Sequence, residues 1–118
     1  MITARFRRRE PDGFTGFEVS GHALFAPEGS DIVCAEVSAL SQAALHGLKD
    51  VLKLPVMYEI DGEGAYLCAY LTPEADAEGI RGAQALLVTL YDSLRAVERD
   101  FPKNVRVILD DRRRKTCS

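Results

Sequence analysis

The sequence predicts an α+β sandwich in which a mixed β-sheet carries two helices on one face. Its 118 residues, 47% of them hydrophobic, suffice for one compact domain over residues 1–118. Runs of alternating polarity and runs of helical periodicity follow each other in the order β-β-α-β-β-α-β. Each helical run has a single apolar stripe, so each helix has one side to bury against the sheet.

The chain begins with a predicted antiparallel hairpin. Residues 2–9 alternate between apolar and polar side chains, and a Pro-Asp-Gly turn follows at positions 11–13. In the second strand, residues 14–20, Phe17 and Val19 fall on one face while Glu18 and Ser20 fall on the other. If this alternation continues, His22 leaves the strand on its polar side.

A connection leads to the first predicted helix. Residues 23–30 contain proline and glycine, which suit a loop. Asp31 is expected to cap a helix over residues 32–54, which Pro55 ends. Apolar residues recur at three- and four-residue steps along this helix, at Val33, Val37, Leu40, Ala44, Leu48 and Val51.

The second half of the chain repeats the pattern. Two short β-type runs, residues 56–60 and 64–71, flank an Asp-Gly-Glu turn and predict a hairpin. Residues 80–101 return to helical spacing and stop before Pro102, and a last strand spans residues 105–109. The stripe of this second helix consists of Ala83, Leu86, Leu87, Leu90, Leu94 and Val97.

The charge balance argues against general nucleic-acid binding. Charged residues make up 28% of the chain, but the net charge is only -3. Contact with RNA is therefore expected to be incidental, and the basic tail of Arg112, Arg113, Arg114 and Lys115 is more simply solvated. The first ten residues lack the apolar run of a signal peptide, and no stretch reaches membrane-spanning length, so we expect a cytoplasmic protein without a membrane partner.

The three cysteines are Cys34, Cys68 and Cys117. They form no CxxC pair and have no histidine at zinc-ligand spacing, so we expect no disulfide framework, no metal and no cofactor. Cys68 shares a strand face with two tyrosines and is expected to be a half-buried structural thiol, while Cys117 lies at the end of the tail. His46 is expected to be a solvated surface histidine.

Cys34 has the surroundings of a reactive thiol. Counted from Asp31 as the cap, it is the third helical residue, where backbone N–H groups lack intrahelical partners and the helix dipole favours a thiolate. His22 lies twelve residues earlier, and the connection is long enough to bring its imidazole to the thiol. Such a pair suffices for nucleophilic acyl transfer, with the free N–H groups binding the oxyanion. The spacing alone also fits a cysteine that merely fills space in the core.

A longer motif surrounds these two residues. It reads Gly21-His22-Ala23, then Gly29, then Asp31-Ile32-Val33-Cys34-Ala35 and Val37-Ser38-Ala39-Leu40. In residue type and spacing this motif closely resembles the signature of the Prp family of ribosomal-processing cysteine proteases. The length and element order of the chain agree with that family. The resemblance implies that a Cys34–His22 dyad removes a short N-terminal extension from a large-subunit ribosomal protein, and that the protein is a homodimer.

Two further polar residues match positions of the family motif. Asp31 is expected to act structurally, by capping the helix and tethering the preceding loop. Ser38 lies one turn beyond Cys34 and either donates a hydrogen bond to the sulfur or the substrate, or bonds to its own helix backbone. Glu36 departs from the motif, where a small residue is usual, but it points away from the Cys34 face of the helix.

The sequence thus predicts a cysteine endopeptidase that acts on an extended peptide. Residues 23–30 are expected to close over the substrate, with Gly21, Leu24, Phe25 and Gly29 as loop or substrate contacts. A non-catalytic, ribosome-associated binding or assembly factor is the alternative from another class. A thiol hydrolase of small esters is the third possibility.

Overall fold

The secondary structure follows the predicted order. The computed structural model describes residues 1–21, 30–61 and 66–110. Its elements are β1 (Ile2–Arg9), β2 (Gly13–Ser20), α1 (Ser30–His46), a π-helical turn (Gly47–Val51), β3 (Val56–Ile60), β4 (Tyr66–Leu71), α2 (Ala77–Asp100) and β5 (Val105–Asp110). The α+β fold and its β-β-α-β-β-α-β order are confirmed. No helix in these described ranges is long and apolar enough to cross a membrane.

The strands form one mixed sheet. Their spatial order is β3-β4-β2-β1-β5, so β3 and β5 are the edge strands. β2 pairs antiparallel with β1 and with β4, β4 pairs antiparallel with β3, and β1 pairs in parallel with β5. Both predicted hairpins are therefore confirmed, although the turn residues Gly62 and Glu63 of the second lie outside the described residues.

One face of the sheet packs against both helices. The alternation of β1 places Ile2, Ala4 and Phe6 in the core, and Phe6 pairs across the sheet with Phe17. The Phe6 ring also meets the Tyr91 ring of α2 edge-on, with centroids 5.1 Å apart. The helices add Val33, Val37, Ala44, Leu45, Leu48, Ala83, Leu87, Leu90, Leu94 and Val97 to the same hydrophobic cluster. The predicted stripes form this core except at Val51, which is exposed, and at Leu40 and Leu86, which are only partly buried.

The first helix differs from the prediction at both ends. It begins at Ser30, so Asp31 lies in the first turn and not at the cap position. Acidic residues are favourable at both places, which is why the sequence signal did not separate them. At the other end, α-helical geometry stops at His46, well before residue 54. A side-chain carbon on Gly47 would lie 2.7 Å from Leu86 Cδ1, so α2 packs here against bare backbone.

The π-helical turn ends in a left-handed cap. Lys53 has a φ of 52°, and the N–H of Leu54 donates to the carbonyl oxygen of Leu48 at 2.9 Å. This bond around a left-handed residue spans one residue more than the six-to-one bond that commonly ends an α-helix, in keeping with the wider π-helical turn. The chain therefore turns away from α1 before it reaches Pro55.

The second helix begins three residues earlier than predicted. Asp76 caps it, with Oδ1 accepting a 2.8 Å hydrogen bond from the Gly79 N–H. Gln84 then ties the helix to the sheet: its Oε1 accepts from the Phe14 N–H and its Nε2 donates to the Phe14 carbonyl oxygen, both at 2.8 Å. The first turn of α2 carries no apolar stripe residue, so apolar periodicity alone places the start of the helix too late.

The opposite face of the sheet also buries side chains. Arg7 is only 2% exposed, and its Nε donates to Tyr70 Oη at 2.7 Å. Its Nη1 lies 3.8 Å from Asp110 Oδ2. Cys68, on the same face, is completely buried and disulfide-bonded. The expectation of a half-buried free thiol and of no disulfide is therefore wrong, because β4 is covered on both faces.

Candidate active site

A cleft lies between one side of α1 and one end of the sheet, and we call it the Cys34 cleft. The antiparallel pairing places the start of β1, the end of β2, the end of β3 and the start of β4 at the same sheet end. Helix α1 contributes Cys34, Val37, Ser38, Ser41 and Gln42, and the sheet end contributes Ile2, Val19, Gly21, Ile60, Tyr66 and Leu67. The cleft therefore combines an apolar floor with hydroxyl, amide and thiol groups on the helix side.

Cys34 is a free thiol at this cleft. It is half-buried and packs against the hydrophobic core while remaining partly accessible. Because α1 begins at Ser30, Cys34 is the fifth helical residue and not the third. The unpaired N–H groups of the first turn precede it along the helix, within about one pitch of 5.4 Å.

Gly21 brings the other half of the motif to the same cleft. It follows the last residue of β2 with a φ of 94°, a left-handed conformation that interrupts the strand alternation. A side chain there would also clash with the carbonyl oxygen of Met1. The alternation that placed His22 on the polar side of β2 therefore does not extend past Ser20. His22 itself lies outside the described residues, as do Leu24, Phe25 and Gly29.

Two serines of α1 line the cleft and are bonded differently. Ser41 is buried, and its Oγ donates to the Val37 carbonyl oxygen at 2.7 Å. Ser38 Oγ accepts a 2.8 Å hydrogen bond from Gln42 Nε2. Sequence reasoning missed Gln42, although its four-residue steps from Cys34 and Ser38 place all three residues on one side of the helix.

The remaining candidates lie away from the cleft. Glu36 is exposed and does not line it, as predicted. His46 is an exposed surface histidine whose Nδ1 lies 3.0 Å from Asp50 Oδ2, which confirms that prediction. Within the described ranges, no group of three or more His, Cys, Asp and Glu side chains comes together as a metal site would require. The basic tail and Cys117 lie outside the described residues.

Comparison with known proteins assigns the chain to a family. The model of the family described as cysteine protease Prp matches residues 1–106. A relative from Bacillus subtilis (strain 168), ribosomal processing cysteine protease Prp, is 35% identical over 107 residues, which are 91% of this chain and 96% of the relative. The chain belongs to the Prp family of cysteine proteases. It is therefore a peptide-bond hydrolase, as predicted, and the non-catalytic and small-ester alternatives are set aside.

Solved Prp-like structures share the fold. SMU.848 from Streptococcus mutans superimposes with a TM-score of 0.80 at 26% identity, over 95% of this chain and 96% of that one. The essential ribosomal processing protease Prp from S. aureus, in complex with a covalently linked product peptide, gives a TM-score of 0.77 at 25% identity. That match covers 93% of this chain and all of the S. aureus chain. The Prp fold is thus present over nearly the whole sequence.

Proposed function

We propose that Cys34 is the nucleophile and His22 the general base of a protease that removes a short N-terminal extension from a large-subunit ribosomal protein. One observation carries the assignment of the dyad. Cys34 is a free, half-buried thiol at a cleft that Gly21 also lines. Gly21 immediately precedes His22 in the sequence, which supports His22 as the partner of Cys34.

The reaction follows from the chemistry of this pair. His22 takes the proton from Cys34 Sγ, and the thiolate attacks the scissile carbonyl carbon. The N–H groups of the first turn of α1 stabilise the oxyanion. The C–N bond then breaks, the leaving amine takes the proton from His22, and a thioester to Cys34 remains. Water activated by His22 hydrolyses the thioester and regenerates the thiol.

The substrate assignment rests on the shape and lining of the cleft. The cleft lies between α1 and four strand ends, and its lining includes Ile60 of the edge strand β3. Such an open end suits an extended chain, which would emerge on both sides of the scissile bond. The printed names of the relatives agree: the Bacillus subtilis relative is a ribosomal processing protease, and the S. aureus Prp structure holds a product peptide.

The other parts of the proposal concern the surroundings of the dyad. Asp31 supports the site by its place in the first turn of α1, where a negative charge stabilises the helix. The chain acts as one domain, as a homodimer, in the cytoplasm where ribosomes assemble. It needs no cofactor, and its contact with ribosomal RNA is incidental.

Variants of the dyad test this proposal. We expect Cys34→Ala to remain folded but to lose cleavage of the extended ribosomal protein, because the proposed nucleophile is gone. We expect His22→Ala to be similarly inactive, because no base then remains to take the thiol proton and return it to the leaving amine. Mass spectrometry of the ribosomal protein after incubation measures the loss of the extension. Wild-type cleavage by Cys34→Ala would exclude this mechanism.

A matched reaction on the thiol separates the two roles. Iodoacetamide should alkylate Cys34 quickly in the wild-type protein and more slowly in His22→Ala. Cys68 is buried and disulfide-bonded, so it should not react in either protein. Equal alkylation rates at Cys34 in the two proteins would show that His22 is not the base.

A further inference from the structure

The hydroxyl of Ser38 is bonded differently from other hydroxyls in the helices. Ser41 and Thr89 donate to carbonyl oxygens four residues earlier, at 2.7 and 2.6 Å. This is the usual arrangement for a hydroxyl within a helix. Ser38 Oγ instead accepts from Gln42 Nε2 at 2.8 Å. Among the described residues, that bond is the one Ser38 makes.

The direction of this bond decides what Ser38 offers to the cleft. A hydroxyl has one hydrogen to donate and two lone pairs to accept with. When the Gln42 amide occupies a lone pair of Ser38, the hydroxyl hydrogen has to point elsewhere. Cys34, Ser38 and Gln42 follow one another at single helical turns, and all three line the Cys34 cleft. The hydrogen is therefore available to a group bound beside Cys34.

We propose that Gln42 is a positioning residue of this protease, which holds Ser38 as a hydrogen-bond donor toward the reacting group. The proposal rests on the proposed role of Cys34 as the nucleophile. Gln42 is exposed, so in the free enzyme water competes for its amide. A bound peptide excludes that water, and the Gln42–Ser38 bond then strengthens. Gln42 therefore affects the rate of the reaction and not the stability of the folded protein.

A change of one group in Gln42 tests the direction of the bond. Gln42→Glu keeps the shape of the side chain, but its carboxylate only accepts, so the Ser38 hydrogen turns toward it. We expect kcat to fall about 3- to 10-fold, the value of one lost hydrogen bond, with KM changing less than about twofold. Ser38→Ala should lower kcat to a similar extent, and Ser38→Thr, which keeps the hydroxyl, should retain most of it.

The double variant distinguishes an effect that acts through the Ser38 hydroxyl from a direct effect of the new charge at position 42. In the Ser38→Ala background, Gln42→Glu should have no further effect, because it acts only through the hydroxyl. Glu36→Gln, an exposed charge change on another side of α1, should leave kcat unchanged. Thermal unfolding of Gln42→Glu should match that of the wild-type protein.

Two results would overturn the proposal. Wild-type kcat in Gln42→Glu would mean that Ser38 already donates to Gln42, and an undiminished effect of Gln42→Glu in the Ser38→Ala background would mean that the new charge acts directly. Neither result affects the proposed function. The role of Cys34 fails if Cys34→Ala still removes the extension from the ribosomal protein in the same assay.

Discussion

Gly21 shows how a single residue positions the candidate site. It is the glycine of the motif that precedes His22, and it lines the cleft opposite Cys34. Two independent constraints act on it, a left-handed φ of 94° and the close carbonyl oxygen of Met1. A residue with a side chain meets a conformational penalty and a steric clash at the same time. The first residue of the chain thus fixes the direction in which the chain leaves β2.

This leads to a prediction at the residue scale. We expect Gly21→Ala to lower the free energy of unfolding by about 2 kcal/mol or more, since the left-handed conformation alone disfavours alanine by about 1–2 kcal/mol and the Met1 backbone must also move. Urea unfolding measures the stability, and the peptide assay measures the expected loss of activity as His22 is displaced.

Gly82 provides the matched control. It lies in α2 without a positive φ, and an added side-chain carbon would lie 3.7 Å from Leu52 Cδ1, an ordinary contact. Gly82→Ala should therefore stabilise the protein by about 0.5–1 kcal/mol. If both glycine variants had the same stability, the structural requirement at Gly21 would be wrong.

Among the secondary-structure elements, α1 both packs against the core and lines the cleft. Its core side carries Val33, Val37 and Leu48, and the adjacent side carries Cys34 and Ser38 at the cleft. The proposed nucleophile is therefore attached to an element that core packing holds in place, which suits a group that must meet its substrate in a fixed geometry. The helix ends through a π-helical turn and a left-handed residue, both near its contact with α2.

The left-handed residue gives the prediction at this scale. Lys53 is exposed and has a φ of 52°, a conformation that glycine adopts with less penalty. We expect Lys53→Gly to raise the free energy of unfolding by about 0.5–1 kcal/mol, after the larger backbone entropy of unfolded glycine is subtracted. Lys53→Ala, which relieves no strain, should leave the stability within about 0.5 kcal/mol. Chemical denaturation of the two variants distinguishes the backbone effect from loss of the lysine charge.

At the scale of the whole molecule, the cleft exists because distant segments meet. Its lining extends from Ile2 to Leu67 in sequence and involves four strands and α1. α2 does not line it, but it holds the sheet in place from the same side. Gln84 bonds both the N–H and the carbonyl oxygen of Phe14, 70 residues away, at the turn between β1 and β2.

A substitution of Gln84 therefore tests how much the contact between α2 and β2 stabilises the fold. Gln84→Ala leaves the part-buried N–H and carbonyl oxygen of Phe14 without their partner, so we expect a loss of about 1–3 kcal/mol in the free energy of unfolding. Gln42→Ala removes an exposed glutamine from the other helix and should change stability by less than about 0.5 kcal/mol. A comparable loss in both variants would show that the tie between α2 and β2 contributes little.

Features that depend on neighbouring residues could be predicted from local sequence patterns. Alternating polarity located β1 and β3 at their observed bounds, and periodicity located the buried stripes of both helices. The motif around Cys34 indicated the protease family by its residue types and their spacing. Burial of Cys34 beside its core stripe also followed from helical spacing alone.

Features that depend on contacts between distant segments could not be predicted from local sequence and became clear from the fold. The parallel pairing of β1 with β5 has no local signal, because it needs a crossover connection. The end of α-helical geometry at His46 has none either, because it lies where α2 meets Gly47. The burial of Arg7 needs Tyr70 and Asp110 beside it. The Cys34 cleft likewise forms only when the sheet orders its strand ends against α1, because local patterns set which face is apolar but not which segments meet there.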